Sequence, residues 1–146
     1  MRRSNLFKIC YAALALSATV AQAAVPVTLY KSPTCGCCDA YVRYLQANGF
    51  QVTAENRNDM DQIKQTNHVG RLGSCHTALI AGYVVEGHVP VTAIQKLLRQ
   101  KPNVVGISVP GMPANSPGMG AMKPGMLPVY TLTRDQAAQP AVFSVE

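Results

Sequence analysis

Two short runs rich in strand-forming residues, Val25–Tyr30 (VPVTLY) and Phe50–Ala54 (FQVTA), bracket a segment with a different period. Pro26 confines the first strand's start to an edge or a strand end. Between the strands, Cys38, Tyr41, Val42 and Leu45 recur at helical spacing up to Asn48, and Gly49 follows as a C-terminal cap. The order strand, cysteine loop, helix, strand predicts a βαβ unit with its loop at the carboxyl end of the first strand.

Further on, Asp59–Asn67 reads as a second helix capped by Asn58 or Asp59. Gly70–Ser74 is a loop ending at Cys75-His76. Thr77–Ile80 and Tyr83–Val85 read as a hairpin turning at Ala81-Gly82. Thr92–Gln100 is a helix with Ile94, Leu97 and Leu98 on one apolar face, Pro90 ahead of it and Thr92 as its cap. Residues 111–126, GMPANSPGMGAMKPGM, hold four Met, four Gly and three Pro, a composition that excludes helix and central strand. Val129–Leu132 and Ala141–Val145 return as short strands, and no internal repeat is present. The expected class is α/β, a central mixed sheet flanked by helices with a Met/Gly/Pro-rich C-terminal loop.

The N-terminus changes how the charge is read. Arg2, Arg3 and Lys8 precede the apolar run Ile9–Val20, and Ala21-Gln22-Ala23 is a small-x-small cleavage site. This is the layout of a secretory signal peptide over 1–23, and the run is too short for a bilayer span. Cys10 lies at the head of the apolar run rather than after it, and leaves with it. The expected mature chain is a single domain, 24–146, in the periplasm, with no stable membrane insertion after cleavage. Cleavage removes three of the thirteen Lys/Arg and no acid, so the formal charge falls from +6 to +3. No basic cluster with interleaved aromatics remains, which argues against nucleic acid as a partner.

Four cysteines stay: Cys35, Cys37, Cys38 and Cys75. In an oxidising compartment they allow three full pairings, and spacing does not choose among them. Cys35 and Cys38 form C-x-x-C at a helix start, where unpaired N–H groups and the helix dipole favour a thiolate. Cys38 shares a face with Val42 and Leu45 and is expected to be the more buried. An exposed attacking thiol beside a shielded resolving one is the logic of a dithiol redox site. Cys37 disturbs that reading, since a third thiol scrambles the bond. Converging thiolates also suit soft ions: Cu(I), Zn(II) or iron–sulfur clusters. Asp39 opposes thiolate formation nearby, and Arg43, four residues on, is placed to offset it.

Cys75-His76 extends the candidate set. In a thioredoxin-like arrangement the residues before the third strand lie against the C-x-x-C loop, usually with a cis-proline; here GSCHTALI offers two ligands and no proline. Met119 and Met122, three apart, are the best thioether pair of the Met-rich segment. His88, in EGHVP, stands at a strand-to-helix loop within reach of a shared site, whereas His68 is alone. Phosphate-binding glycine loops, paired carboxylates and serine-nucleophile motifs are absent from the sequence.

The stretches SPTCGCCDAYVRYL, LGSCHTALIAGYVVEGHVP and VPGMPANSPGM together resemble the CopG-type periplasmic copper-resistance proteins. The resemblance implies a thioredoxin-like fold, a cysteine-bridged site for several copper ions built on Cys35, Cys37, Cys38 and Cys75, and a role in copper detoxification. It also implies Cu(I)/Cu(II) interconversion as an oxidoreductase activity, and other periplasmic copper-handling proteins as partners. Zinc is the rival metal. The alternative function is a periplasmic thiol–disulfide oxidoreductase using Cys35 and Cys38.

Overall fold

A computed structural model describes residues 23–146; the signal-peptide reading lies almost wholly outside them. The elements are β1 (Val25–Lys31), α1 (Gly36–Ala47), β2 (Phe50–Asn56), α2 (Met60–Thr66), a 3-10 turn (Gly70–Leu72), β3 (His76–Ile80), β4 (Tyr83–Glu86), α3 (Val91–Gln100), β5 (Gly106–Ser108), β6 (Pro128–Leu132) and β7 (Val142–Val145). The strands form one seven-stranded mixed sheet in the order β2-β1-β3-β4-β5-β6-β7. β1 pairs parallel with β2 and antiparallel with β3, and β3 pairs antiparallel with β4. Pro26 sits where pairing with β3 has already ended, so its missing N–H breaks no bond on that side. Among the described residues, no helix is long and apolar enough to cross a membrane.

The strands' period of two separates the sheet's faces. On one face Val27, Leu29, Ala78, Ile80, Val85 and Ile107 pack against Tyr41 and Leu45 of α1 and Ile94 and Leu97 of α3. On the other, Val84 and Leu79 meet Val69, Leu72 and Leu132. In register, Lys31 faces His76 across β1 and β3, at the sheet end where α1 begins. That end carries the cysteines.

Local capping differs from the expectation in two places. Thr92 is inside α3, Pro90 holds the cap position, and the Thr92 hydroxyl instead donates to the Glu146 carboxylate. Asp59 does stand at the cap of α2 but makes no capping bond. Its carboxylate accepts from both Nε and Nη2 of Arg57, at 2.8 and 2.7 Å, a bidentate pair that outcompetes a single backbone N–H.

Candidate metal centre

Cys35 is the N-cap residue of α1, with its backbone extended at φ −82° and ψ 90°. Its N–H donates to the Ser32 carbonyl at 3.1 Å and its carbonyl accepts from Asp39 N–H at 3.3 Å, so the turn into the helix fixes where the sulfur leaves the chain. Cys35 and Cys38 are joined in a disulfide, their Cα atoms 5.3 Å apart. Cys38 is fully buried, as its place on the apolar face predicts. Cys37 and Cys75 are free and half-buried. Cys37 Sγ lies 3.5 Å from Cys35 Sγ and 3.8 Å from Cys75 Sγ. All four sulfurs lie within 4.8 Å of one another. Asp39 does not pair with Arg43 as its spacing suggested. Its carboxylate binds the buried Lys31 ammonium at 3.0 Å, because β1 delivers that side chain under the first turn of α1.

Cys75 arrives from the far side on a strap held by buried polar groups. Ser74 N–H donates to Glu86 Oε1 at 2.7 Å, and the Ser74 hydroxyl donates to the Gly111 carbonyl. The wholly buried Glu86 carboxylate also accepts from the Thr77 hydroxyl at 2.6 Å and from the Lys64 ammonium. Gly87 follows with φ +73°, and a Cβ there would lie 2.5 Å from Ser74 Cβ. Only glycine lets the strap and the turn approach so closely, and that approach brings His88 to Cys75.

His88 Nε2 lies 3.0 Å from Cys75 Sγ, and its Nδ1 lies 2.8 Å from the Pro117 carbonyl. A carbonyl only accepts, so Nδ1 carries the proton and the Nε2 lone pair faces the sulfur. His76 Nδ1 lies 3.7 Å from the same sulfur, while His76 Nε2 is buried without a hydrogen-bond partner. The two imidazoles meet edge-on at 4.8 Å, and Tyr41 packs on both with ring centroids 4.6 and 5.3 Å away.

Burial governs the protonation of this group. It pushes the Cys75 thiol up to about 11, with the neighbouring Cys37 adding to it and the Ser74 hydroxyl opposing. It pushes His76 down to about 3, helped by His88 and Lys64. His88 is lowered too, again by burial, against the opposing bond to Pro117. Both imidazoles are therefore neutral at ordinary pH, the form that ligates. Cys75, His76 and His88 make a second ligand triad that shares Cys75 with the four-sulfur group. Thiols and neutral imidazoles form a soft-to-borderline donor set that fits Cu(I) or Zn(II), and the unpartnered buried Nε2 leaves one donor unused by the protein itself.

The Met-rich loop closes over this end of α1. Gly118, at φ +80°, comes so near that a Cβ would lie 3.0 Å from Tyr41 N. Met119, the next residue, is half-buried there, whereas Met122 is exposed. His68 belongs to neither ligand group and lies beside Gln136, whose Nε2 donates to its carbonyl. Sequence reasoning missed Glu86 and the Pro117 carbonyl as the groups that position Cys75 and His88. A carboxylate ending an apolar strand was the available signal for the first; nothing local marks the second.

The family described as Protein of unknown function, DUF411, matches residues 72–119. Two solved structures named copper resistance protein CopG, Form 2 and Form 1, are 39% and 38% identical. Each superposes with a TM-score of 0.74, over 84% of this chain and 98% of the other. The chain belongs to the CopG family. No curated protein matches it. In this CopG-family chain the segment 72–119 carries Cys75, His76, Glu86, His88 and Pro117, the half of the site that the C-x-C-C stretch does not supply.

Proposed function

We propose that this is an exported, periplasmic copper-binding protein of copper resistance, in which Cys35, Cys37, Cys38 and Cys75 hold several Cu(I) ions. The observation that carries the reading is the convergence of four sulfurs from two separate segments, with a triad of Cys75, His76 and His88 beside them. Family membership supports copper as the cargo, since the solved relatives are named for copper resistance. The strand order β2-β1-β3-β4, with the cysteine loop between β1 and α1, supports a thioredoxin-like frame. Met119 is the thioether best placed to join the donors, next to the loop's closure on α1; Met122 is a weaker candidate. Loading all four thiolates requires two-electron reduction of the Cys35–Cys38 bond. Cu(I)/Cu(II) interconversion and delivery to other copper-handling proteins are parts of the same reading.

The disulfide itself favours a second reading, a thiol–disulfide oxidoreductase acting through Cys35 and Cys38. An anaerobic Cu(I) titration of the reduced, signal-free protein against a competing chelator separates the two, with zinc run in parallel. Three or more tightly held copper ions per chain, lost in Cys37→Ser or Cys75→Ser, is the expected result. Near-zero tight copper with a fast-forming Cys35–Cys38 disulfide overturns it, and retention of a single zinc in preference to copper replaces the metal.

A further inference from the structure

A single C-x-x-C disulfide leaves two cysteines over, and their placement is specific. Cys37 Sγ sits 3.8 Å from Cys75 Sγ, and both thiols are half-buried and reachable from solvent. Cys37 also lies 3.5 Å from Cys35 Sγ, so as a free thiol it threatens the neighbouring bond by exchange. Cys75 is the group that can take it out of that competition. It comes from a strap pinned at Ser74 and His76 by Glu86, Gly111 and Gly87, so its sulfur is presented to the first turn of α1 rather than left to search for it.

We propose that the four cysteines form a two-disulfide, four-electron switch, Cys35–Cys38 and Cys37–Cys75, whose fully oxidised state closes the metal site. The oxidant is a small diffusible disulfide. A Cys37 thiolate attacks it, forming a mixed disulfide and releasing one small thiol. Cys75, having given up its proton, then displaces the second small thiol and completes the Cys37–Cys75 bond. Each protein disulfide takes two electrons and two protons from the pair of cysteines and hands them to one oxidant molecule, which leaves as two thiols. The second bond staples the start of α1 to the start of β3 and consumes the last two thiol donors. This regulation rests on the copper-site reading above, but the pairing itself does not.

The test oxidises fully reduced, metal-free protein with oxidised glutathione, quenches with an alkylating agent and maps the tryptic peptides without reduction. Four equivalents of glutathione thiol released, no alkylatable cysteine left, and peptide Ser32–Arg43 joined to Leu72–Lys96 are expected. In the Cys35→Ser/Cys38→Ser variant the same two peptides are expected to join through Cys37 and Cys75. Wild type that stops at two equivalents, with Cys37 and Cys75 both alkylated, overturns the proposal, as does a variant that yields only glutathione-capped chains. Cu(I) titration of the three oxidation states reads the closure: binding should disappear in the two-disulfide form and return on reduction. Equal binding by reduced and doubly oxidised protein overturns the closure. Absence of copper binding by the reduced form with the pairing intact overturns the copper reading alone.

Discussion

The Cys75 thiol and the His88 imidazole face each other at 3.0 Å, with the ring's other nitrogen bound to the Pro117 carbonyl. The carbonyl comes from the Met-rich loop, so that loop sets the tautomer of a ring 29 residues away in sequence. Holding a ligating ring through its second nitrogen is worth about 10–100-fold in metal affinity where it has been removed. His88→Ala should lower Cu(I) affinity by at least about tenfold by that measure while leaving the far-UV spectrum unchanged. Competition against a chelator checks it, and wild-type affinity in the variant would remove His88 from the site.

Glu86 accepts from Ser74 N–H, the Thr77 hydroxyl and the Lys64 ammonium inside the sheet's second face. Truncation leaves Ser74 N–H and the Thr77 hydroxyl without their acceptor and Lys64 with only the Thr77 oxygen, at 3.2 Å, and breaking such a buried pair costs about 3 kcal/mol. Lys64 is 18% exposed and can partly rehydrate, so the effect should fall at the low end of the range. Urea unfolding of Glu86→Ala should show that loss, with Glu86→Gln clearly milder because the amide oxygen still accepts. A midpoint for Glu86→Ala matching wild type would mean the network contributes nothing net.

The sequence made the frame and most of the donors legible because those signals are local. C-x-C-C ahead of a helical period placed Cys35 at the start of α1, and GSCH placed Cys75 just before β3. What it hid was either short or nonlocal. β5 has only three residues, Gly106–Ser108, and exists because β4 and β6 flank it; a Cβ on Gly106 would lie 1.8 Å from the Val84 carbonyl oxygen. β4 extends through Glu86 because its partners are Ser74, Thr77 and Lys64, none adjacent in sequence. Asp39 looked paired with Arg43 at helical spacing, yet Lys31 reaches it from β1. The Cys37–Cys75 approach likewise spans 38 residues, across the rest of α1, β2 and α2.

Acid should destabilise the reduced, metal-free protein through His76. Its imidazole is held down to about 3 by burial, against an ordinary value near 6.5 in the unfolded chain. Between those values the unfolded state binds the extra proton, so stability falls as pH drops from 6.5 toward 3 and is fully present above 6.5. One such group contributes a slope of about 1.4 kcal/mol per pH unit within the window. Removing it, as in His76→Phe, should flatten the wild-type dependence by about that amount, and should cost little at neutral pH because Nε2 has no partner to lose. Denaturant midpoints at a series of pH values from 4 to 7 decide this. Parallel curves for the two proteins would mean that His76 is not buried neutral.

Two glycines of the Met-rich loop separate backbone strain from closure over the site. Gly118 and Gly125 both have left-handed backbones, at φ +80° and +73°. Alanine at either position costs roughly 1–2 kcal/mol for that conformation. Only at Gly118 does the added Cβ also meet α1, 3.0 Å from Tyr41 N, whereas Gly125 has open space around it. Gly118→Ala should therefore lift the 116–119 turn, in which Met119 N–H donates to the Ser116 carbonyl at 3.0 Å, and pull the Pro117 carbonyl off His88. The expected signature is faster amide exchange at Met119 with weakened copper binding, while Gly125→Ala loses stability alone and binds copper as wild type does. Equal copper affinities in the two variants would show that the loop's seat on α1 does not act through His88.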